Sequence, residues 1–351
     1  MKIEKILSEL VKCNTVNDLE NEKIINYLEE FLKGLGFKTE YKSKCLVMSI
    51  GNDPILSFIG HTDVVGVSDD WDSEPFKLKE EGDKLIGRGV SDMKGGIAAF
   101  LYTLKQLDLS KLKRGIRVCF TYDEEVGFKG IEELVKNKID FCEYSLVGEP
   151  TDNIPCIGSK GLLEYEFTFK GTAVHSSTPI EGECSNENAI MFLNEILKLN
   201  GVFKNSKCDL FEVPYNTINV GVIKGGTSIC TTSAETKVLL GFRITKNSSD
   251  IEFIKTYIEK VKESFSGVSY KILNEIKPFF NDSKIVDFYE EITGKTRKPF
   301  FAVSEASFTN NNVLILGPGP ITAHEKNEYI LKDDLMKTVE EYKKIIERIC
   351  E

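Results

Sequence analysis

Short apolar runs bounded by glycine and proline alternate with stretches of helical periodicity along the first 150 residues, and this alternation constrains the fold more than any other feature. Ile, Leu and Phe recur at helical spacing over 3–12 and 20–34, with Asp18 placed to cap the second helix and Gly34 and Gly36 to end it. Strands are expected over Lys44–Ile50, Pro54–Ile59, Ile116–Thr121 and Tyr144–Val147. Helices are expected over Ile97–Leu107, entered through Gly95-Gly96, and over Gly130–Asn137. Strands alternating with helices predict an α/β fold built on a mixed, mostly parallel sheet flanked by helices.

A second regime begins near Gly161. Residues 163–170, 216–223 and 236–244 read as extended, while 187–199 and 251–265 read as helical, an order that suits a smaller α+β unit. The character changes back near Lys277-Pro278, with a strand over Val313–Leu316, a Gly-Pro-Gly-Pro loop and a helix over Lys332–Cys350. A chain of 351 residues is long enough for two domains. The simplest organisation is a catalytic domain from 1–160 and 277–351, interrupted by an inserted domain over 161–276.

Composition removes several functional classes. A formal net charge of -10 disfavours a nucleic-acid partner. No apolar run is long enough to span a bilayer, and the charged opening Met1-Lys2-Ile3-Glu4-Lys5 does not read as a signal peptide. Nine cysteines, an odd number with no CxxC pair, point to free thiols in a reducing cytoplasm and away from a thiolate zinc site.

The chemistry gathers where the strands end. His61-Thr62-Asp63 follows one strand, Asp123-Glu124-Glu125 another and Glu149 a third, while Asp92 closes a glycine-rich loop before a helix and His324 follows the last strand. Sites in open α/β sheets form at the carboxyl ends of strands. Taken singly, Asp92 reads as a helix cap and Glu124-Glu125 as a solvated pair. Clustered together they would repel one another unless a cation neutralised them, and oxygen with imidazole donors suits zinc, cobalt or manganese.

Six ordered stretches carry a resemblance: GHTDVV at 60–65, GRGVSDMKGG at 87–96, TYDEEVG at 121–127, VGEPT at 147–151, GTAVHSSTP at 171–179 and AHEKNEY at 323–329. Over nearly its whole length the chain resembles the co-catalytic zinc exopeptidases and deacylases that include acetylornithine deacetylase and succinyl-diaminopimelate desuccinylase. The resemblance implies a zinc-exopeptidase-like catalytic domain with an inserted lid or dimerisation domain, and two divalent metal ions, zinc first with cobalt or manganese as alternatives. It implies that His61 and Glu149 bind one ion, Glu125 and His324 the other, and Asp92 both. Asp63 would hold neighbouring groups in place, and Glu124 would be the general acid/base. His175, in the inserted domain, would reach the active site of the partner subunit as an oxyanion donor, which implies a homodimer formed through that domain.

Substrate residues are harder to read. Arg243 is a candidate clamp for a substrate carboxylate, with Gly226 and its neighbours as backbone donors and Asn219 as a further contact. Ser304-Glu305-Ala306 resembles the TEA segment of acetylornithine deacetylases, where desuccinylases carry TSD, and places Glu305 to receive a basic side chain. Cys230 departs from the pattern, standing near where the family usually has an asparagine. The leading expectation is hydrolysis of an N-acyl amino acid, acetylornithine deacetylase-like, with desuccinylase, dipeptidase and carboxypeptidase as alternatives. A binding protein without metal is disfavoured because every ligand and the base are present.

Overall fold

The computed structural model describes every residue except 1, 180–182, 246–247, 281–282 and 310–311. The chain divides into two compact units, one of Met1–Gly158, Phe280–Phe300 and Ser304–Glu351, the other of Ser159–Phe279 and Phe301–Val303. The first stretch runs through α1 (Ile3–Val11), α2 (Asn21–Lys33), β1 (Lys38–Lys42), β2 (Leu46–Ile50), β3 (Leu56–His61), β4 (Lys79–Glu81), β5 (Lys84–Ile86), α3 (Lys94–Gln106), β6 (Ile116–Thr121), α4 (Lys129–Lys136), β7 (Tyr144–Val147) and β8 (Cys156–Ser159). The second unit follows with β9 (Gly161–Lys170), α5 (Ser185–Leu197), α6 (Leu199–Lys204), β10 (Thr217–Gly225), β11 (Glu235–Ile244), α7 (Ser248–Lys262) and β12 (Val268–Ile276). The chain returns through α8 (Lys284–Thr293), β13 (Lys298–Phe300), β14 (Val313–Ile315), β15 (Tyr329–Leu331) and α9 (Lys332–Cys350).

The first unit is built on an eight-stranded sheet in the order β1-β2-β6-β3-β7-β14-β8-β13. Its middle four strands, β6, β3, β7 and β14, run parallel, and β2 and β8 join them antiparallel. The fold is therefore α/β with a mixed, mostly parallel sheet. Strands buried on both faces read as continuous apolar runs, and every residue of β3 is buried. Helix α3 crosses this core with its apolar residues covered all round: Phe100 stacks on Phe58 at 4.0 Å, and Tyr342 of α9 meets both rings edge-on. Gly95 and Gly96 lie inside the first turn of α3 rather than before it. A Cβ on Gly96 would fall 2.0 Å from the carbonyl oxygen of Gly148, so only glycine lets the helix start press against the exit of β7. A separate three-stranded sheet, β15-β5-β4, carries the loop that precedes α3.

The second unit is an antiparallel sheet, β10-β11-β9-β12, with a phenylalanine-rich core in which Phe167, Phe169 and Phe192 lie in mutual ring contact. Inward and outward residues alternate along β9 and β11, as expected for a sheet with one covered face.

Several elements differ from their sequence reading. Asp18 does not cap α2; Glu20 precedes that helix without a side-chain cap, and Asp18 pairs with Lys44 at 3.1 Å. Strand β1 and much of β12 are polar and exposed, so they lack the apolar runs by which strands are recognised. Helix α8 was not expected, although Ile285, Val286 and Tyr289 bury one face of it. Among the described residues no helix is long and apolar enough to cross a membrane.

Candidate metal centre

Three adjacent parallel strands deliver the site. His61 is the last residue of β3 and pairs in register with Thr121, the last residue of β6. Asp123 then takes a left-handed backbone, φ 63°, and turns the chain so that the amides of Glu124 and Glu125 face Asp63. Glu149 follows β7 on the other side of β3. Asp92 arrives differently, from the loop between β5 and α3 rather than from a central strand, through a cis peptide to Met93. His324 comes from the loop between β14 and β15 with φ 65°. Non-glycine residues held at positive φ cluster at functional sites.

Asp92 is straddled by two imidazoles. His61 Nε2 lies 3.0 Å from Oδ1 and His324 Nε2 lies 3.4 Å from Oδ2. Glu125 Oε2 sits 2.9 Å from the same nitrogen of His324. Ligand atoms of His61, Asp92 and Glu125 all fall within 4.8 Å of one another. Asp63 fixes the frame: Oδ1 accepts from the Glu124 amide at 3.2 Å, Oδ2 accepts from the Glu125 amide at 3.1 Å, and its backbone carbonyl lies 3.1 Å from His61 Nδ1. That carbonyl can only accept, so Nδ1 carries a proton and Nε2 is the nitrogen offered to Asp92. Glu124 stands apart from these pairs, with Oε2 4.0 Å from His61 Nε2 and its side chain 10% exposed.

Acceptors facing acceptors demand a positive charge between them. Burial first, then the neighbouring carboxylates Glu125, Asp92 and Asp63, push Glu124 well above the usual carboxylate range. Glu149 is raised by burial and by Asp92, and Glu125 likewise. Burial also works against Asp92, but His324 and His61 outweigh it and hold its carboxyl low. His324 is pushed up to about 10 by Asp92 and Glu125. Burial lowers His61, yet Asp63, Asp92 and Glu124 overcome it and leave the ring well above its ordinary value. Two imidazoles must therefore hold extra protons to satisfy these acids, or cations must take the protons' place. The donor set is hard oxygen and imidazole with no thiolate, which fits a divalent cation.

A profile of the family described as Peptidase family M20/M25/M40 matches residues 57–348. The chain belongs to this family. It is 29% identical to the acetylornithine deacetylase of Photorhabdus laumondii over 360 residues, covering 95% of this chain and 92% of that protein. Among solved structures it resembles an M20 family metallo-carboxypeptidase from Sulfolobus solfataricus, with a TM-score of 0.82, 19% identity and 99% of each chain covered. It also resembles a dinuclear metal-binding M20 peptidase from Bacillus subtilis, with a TM-score of 0.69 and 11% identity over 98% of this chain and 96% of that one. The protein is thus an M20-family, metal-dependent hydrolase.

Other residues singled out in the sequence of this M20-family hydrolase are placed as follows. Glu305 is in the same unit as the centre, 1% exposed, with Oε1 accepting from the Thr121 hydroxyl and Oε2 without a hydrogen-bond partner. Burial raises its carboxyl to about 7. His175, Asn219, Gly226, Cys230 and Arg243 all belong to the second unit, where each is exposed. Arg243 lies within β11, opposite Thr217 of β10 and Leu162 of β9. Gly226 has φ 78° and lines a cavity of about 490 Å³ with Lys224, Thr227, Thr232 and Lys237. His175 and Thr231 bridge two loops, and the Ser176 amide donates to the Cys230 carbonyl at 2.9 Å. Two residues of the first unit escaped notice in the sequence. Lys94 is wholly buried, donates from Nζ to the Cys13 carbonyl at 2.9 Å, and is lowered by burial to about 8. Glu328 binds the Asp92 loop; its only signal is that it follows His324 within one motif.

The charge state of the centre predicts its metal chemistry. In the cation-free protein His324 keeps its proton up to about pH 10. Binding must expel that proton, so affinity for zinc rises with pH below about 10, and uptake at neutral pH releases protons. Calorimetric titration in two buffers of different ionisation enthalpy checks this; identical heats in both would contradict it.

Proposed function

We propose that this protein hydrolyses the amide bond of an N-acyl amino acid with two divalent cations, most closely in the manner of an acetylornithine deacetylase. The observation that carries the reading is the carboxylate of Asp92 set between two imidazoles, with the base-competent Glu124 beside it but outside the ligand pairs. One cation would be held by His61, Asp92 and Glu149, the other by Asp92, Glu125 and His324. Such ions polarise a scissile carbonyl and acidify water.

Glu124 supplies the proton traffic. Burial and its acidic neighbours keep its affinity for a proton high, which suits a base that must accept one from the attacking water and then give it to the leaving amine. Asp63 holds the backbone of Glu124 and Glu125 by accepting hydrogen bonds from their two amides, so base and ligand keep a fixed spacing. His175 is suited to donate to the oxyanion. The Ser177 amide donates to its Nδ1 at 3.2 Å, which in the neutral ring leaves the proton on Nε2.

A homodimer through the inserted unit is part of this reading. Strand β10 ends the four-stranded sheet and exposes Val222 and Ile223, and α5 exposes Ile190 and Met191. Free edges and grouped apolar residues of this kind are commonly covered by a partner. Nine free cysteines support a cytoplasmic setting. Substrate preference rests on Glu305, whose unpartnered Oε2 would gain a partner by receiving a cationic side chain. A second reading, peptide hydrolysis, draws on the fold shared with the Sulfolobus carboxypeptidase.

Two experiments separate these readings. Amine release from N-acetylornithine, N-succinyl-diaminopimelate and a panel of dipeptides, with zinc or cobalt supplied, is expected to favour N-acetylornithine. A preference for the succinyl substrate or for dipeptides would sink the deacetylase assignment. His175→Ala and Glu124→Ala are each expected to be nearly inactive, and mixing them under subunit exchange should restore part of the activity, because a hybrid dimer holds one complete site. Full activity of His175→Ala alone, or hybrid dimers without recovery, would rule out donation across subunits.

A further inference from the structure

We propose that Glu328 is the positioning residue that assembles the second cation position, by holding the Asp92 loop against the segment that carries His324. The inference rests on the two-cation reading. Glu328 is 1% exposed, and both its oxygens are fully used. Oε1 accepts from the amides of Ser91 at 2.7 Å and Asp92 at 3.0 Å. Oε2 accepts from the amide of Gly89 at 2.8 Å and from Arg88 Nη1 at 2.9 Å. A carboxylate offers about four acceptor directions, and here each meets a donor. Three of those donors are the backbone of the 89–92 loop, including the amide of the ligand Asp92 itself.

The tie runs in both directions. The Gly87 amide donates to the Glu328 carbonyl at 3.0 Å. The Ser91 hydroxyl donates to the Pro320 carbonyl and accepts from the Thr322 amide, both at 3.2 Å, and Thr322 sits in the turn that presents His324. Two ligands far apart in the chain are thereby brought side chain to side chain, Asp92 Oδ2 to His324 Nε2, at 3.4 Å. His61 and Glu149 do not depend on this tie, since His61 ends β3 and Glu149 follows β7 of the central sheet. Removing the Glu328 carboxylate should therefore weaken the position built from Glu125 and His324 more than the one built from His61 and Glu149. Arg88, held by Glu328, lies 5.0 Å over the ring of Trp71, the single tryptophan of the chain, which gives the clamp a fluorescent reporter.

Glu328→Gln keeps the shape but turns an amide NH2 toward donors that need an acceptor. Cobalt is titrated into metal-free protein and followed by visible absorption and Trp71 emission, alongside the melting temperature of the metal-free protein. The wild type is expected to show two binding steps. In Glu328→Gln the second step is expected to weaken about 10–100-fold, with the first changed less, the metal-free melting temperature retained and turnover recovered at saturating cobalt. Two steps at wild-type affinity in Glu328→Gln would overturn the assignment. A wild type without two steps would overturn the two-cation reading itself. Should Glu328→Gln fail to fold, Ser91→Ala reads the same tie by deleting only the hydroxyl between the two segments: a weaker second step supports the role, and an unchanged one overturns it.

Discussion

A carboxylate shared by two imidazoles organises this protein. Asp92 can sit between His61 and His324 only if the surrounding acids Glu124, Glu125 and Glu149 are neutralised, because burial makes their mutual repulsion expensive. The parallel sheet places them: β6, β3 and β7 end side by side, and their exits carry Glu124 and Glu125, then His61, then Glu149.

What surrounds the centre is a set of clamps on backbone rather than on side chains. Asp63 takes the amides of Glu124 and Glu125, and Glu328 takes those of Gly89, Ser91 and Asp92. Each clamp is a buried carboxylate whose charge is met by several N–H donors, the arrangement in which ionised hydrogen bonds are strongest. Helix α3 is pressed close to the exit of β7 by Gly96, so the Asp92 loop and the strand bearing Glu149 are held close together. Rigid placement of this kind is what a reaction requires when one carboxylate must move a proton while its neighbour must not.

Much of this was legible in the sequence because the informative residues lie next to apolar strands. His61, Glu124, Glu125 and Glu149 each follow a buried run, and α9 appears with the bounds its apolar spacing predicts. Glu328 was hidden because its partners lie 236–240 residues away, and nothing local to it announces a hydrogen bond to a distant amide. Asp18 has the local sequence pattern of a cap, whereas its actual partner, Lys44, is fixed by tertiary structure. The polar strand β1 shows no apolar run, and its pairing with β2 makes it a strand. Glu305 was legible as a charge but not as a buried one, since burial depends on the whole packing of the unit.

In the proposed two-cation centre the ligands exclude Glu124, which is left to move protons. Metal content of wild-type and Glu124→Gln protein, measured after saturation with zinc and desalting, together with their turnover, tests it most directly. Two ions per chain are expected in both proteins, with a loss of turnover of about 10²–10⁴-fold in the variant. Loss of an ion from the variant, or turnover that survives the substitution, would contradict it.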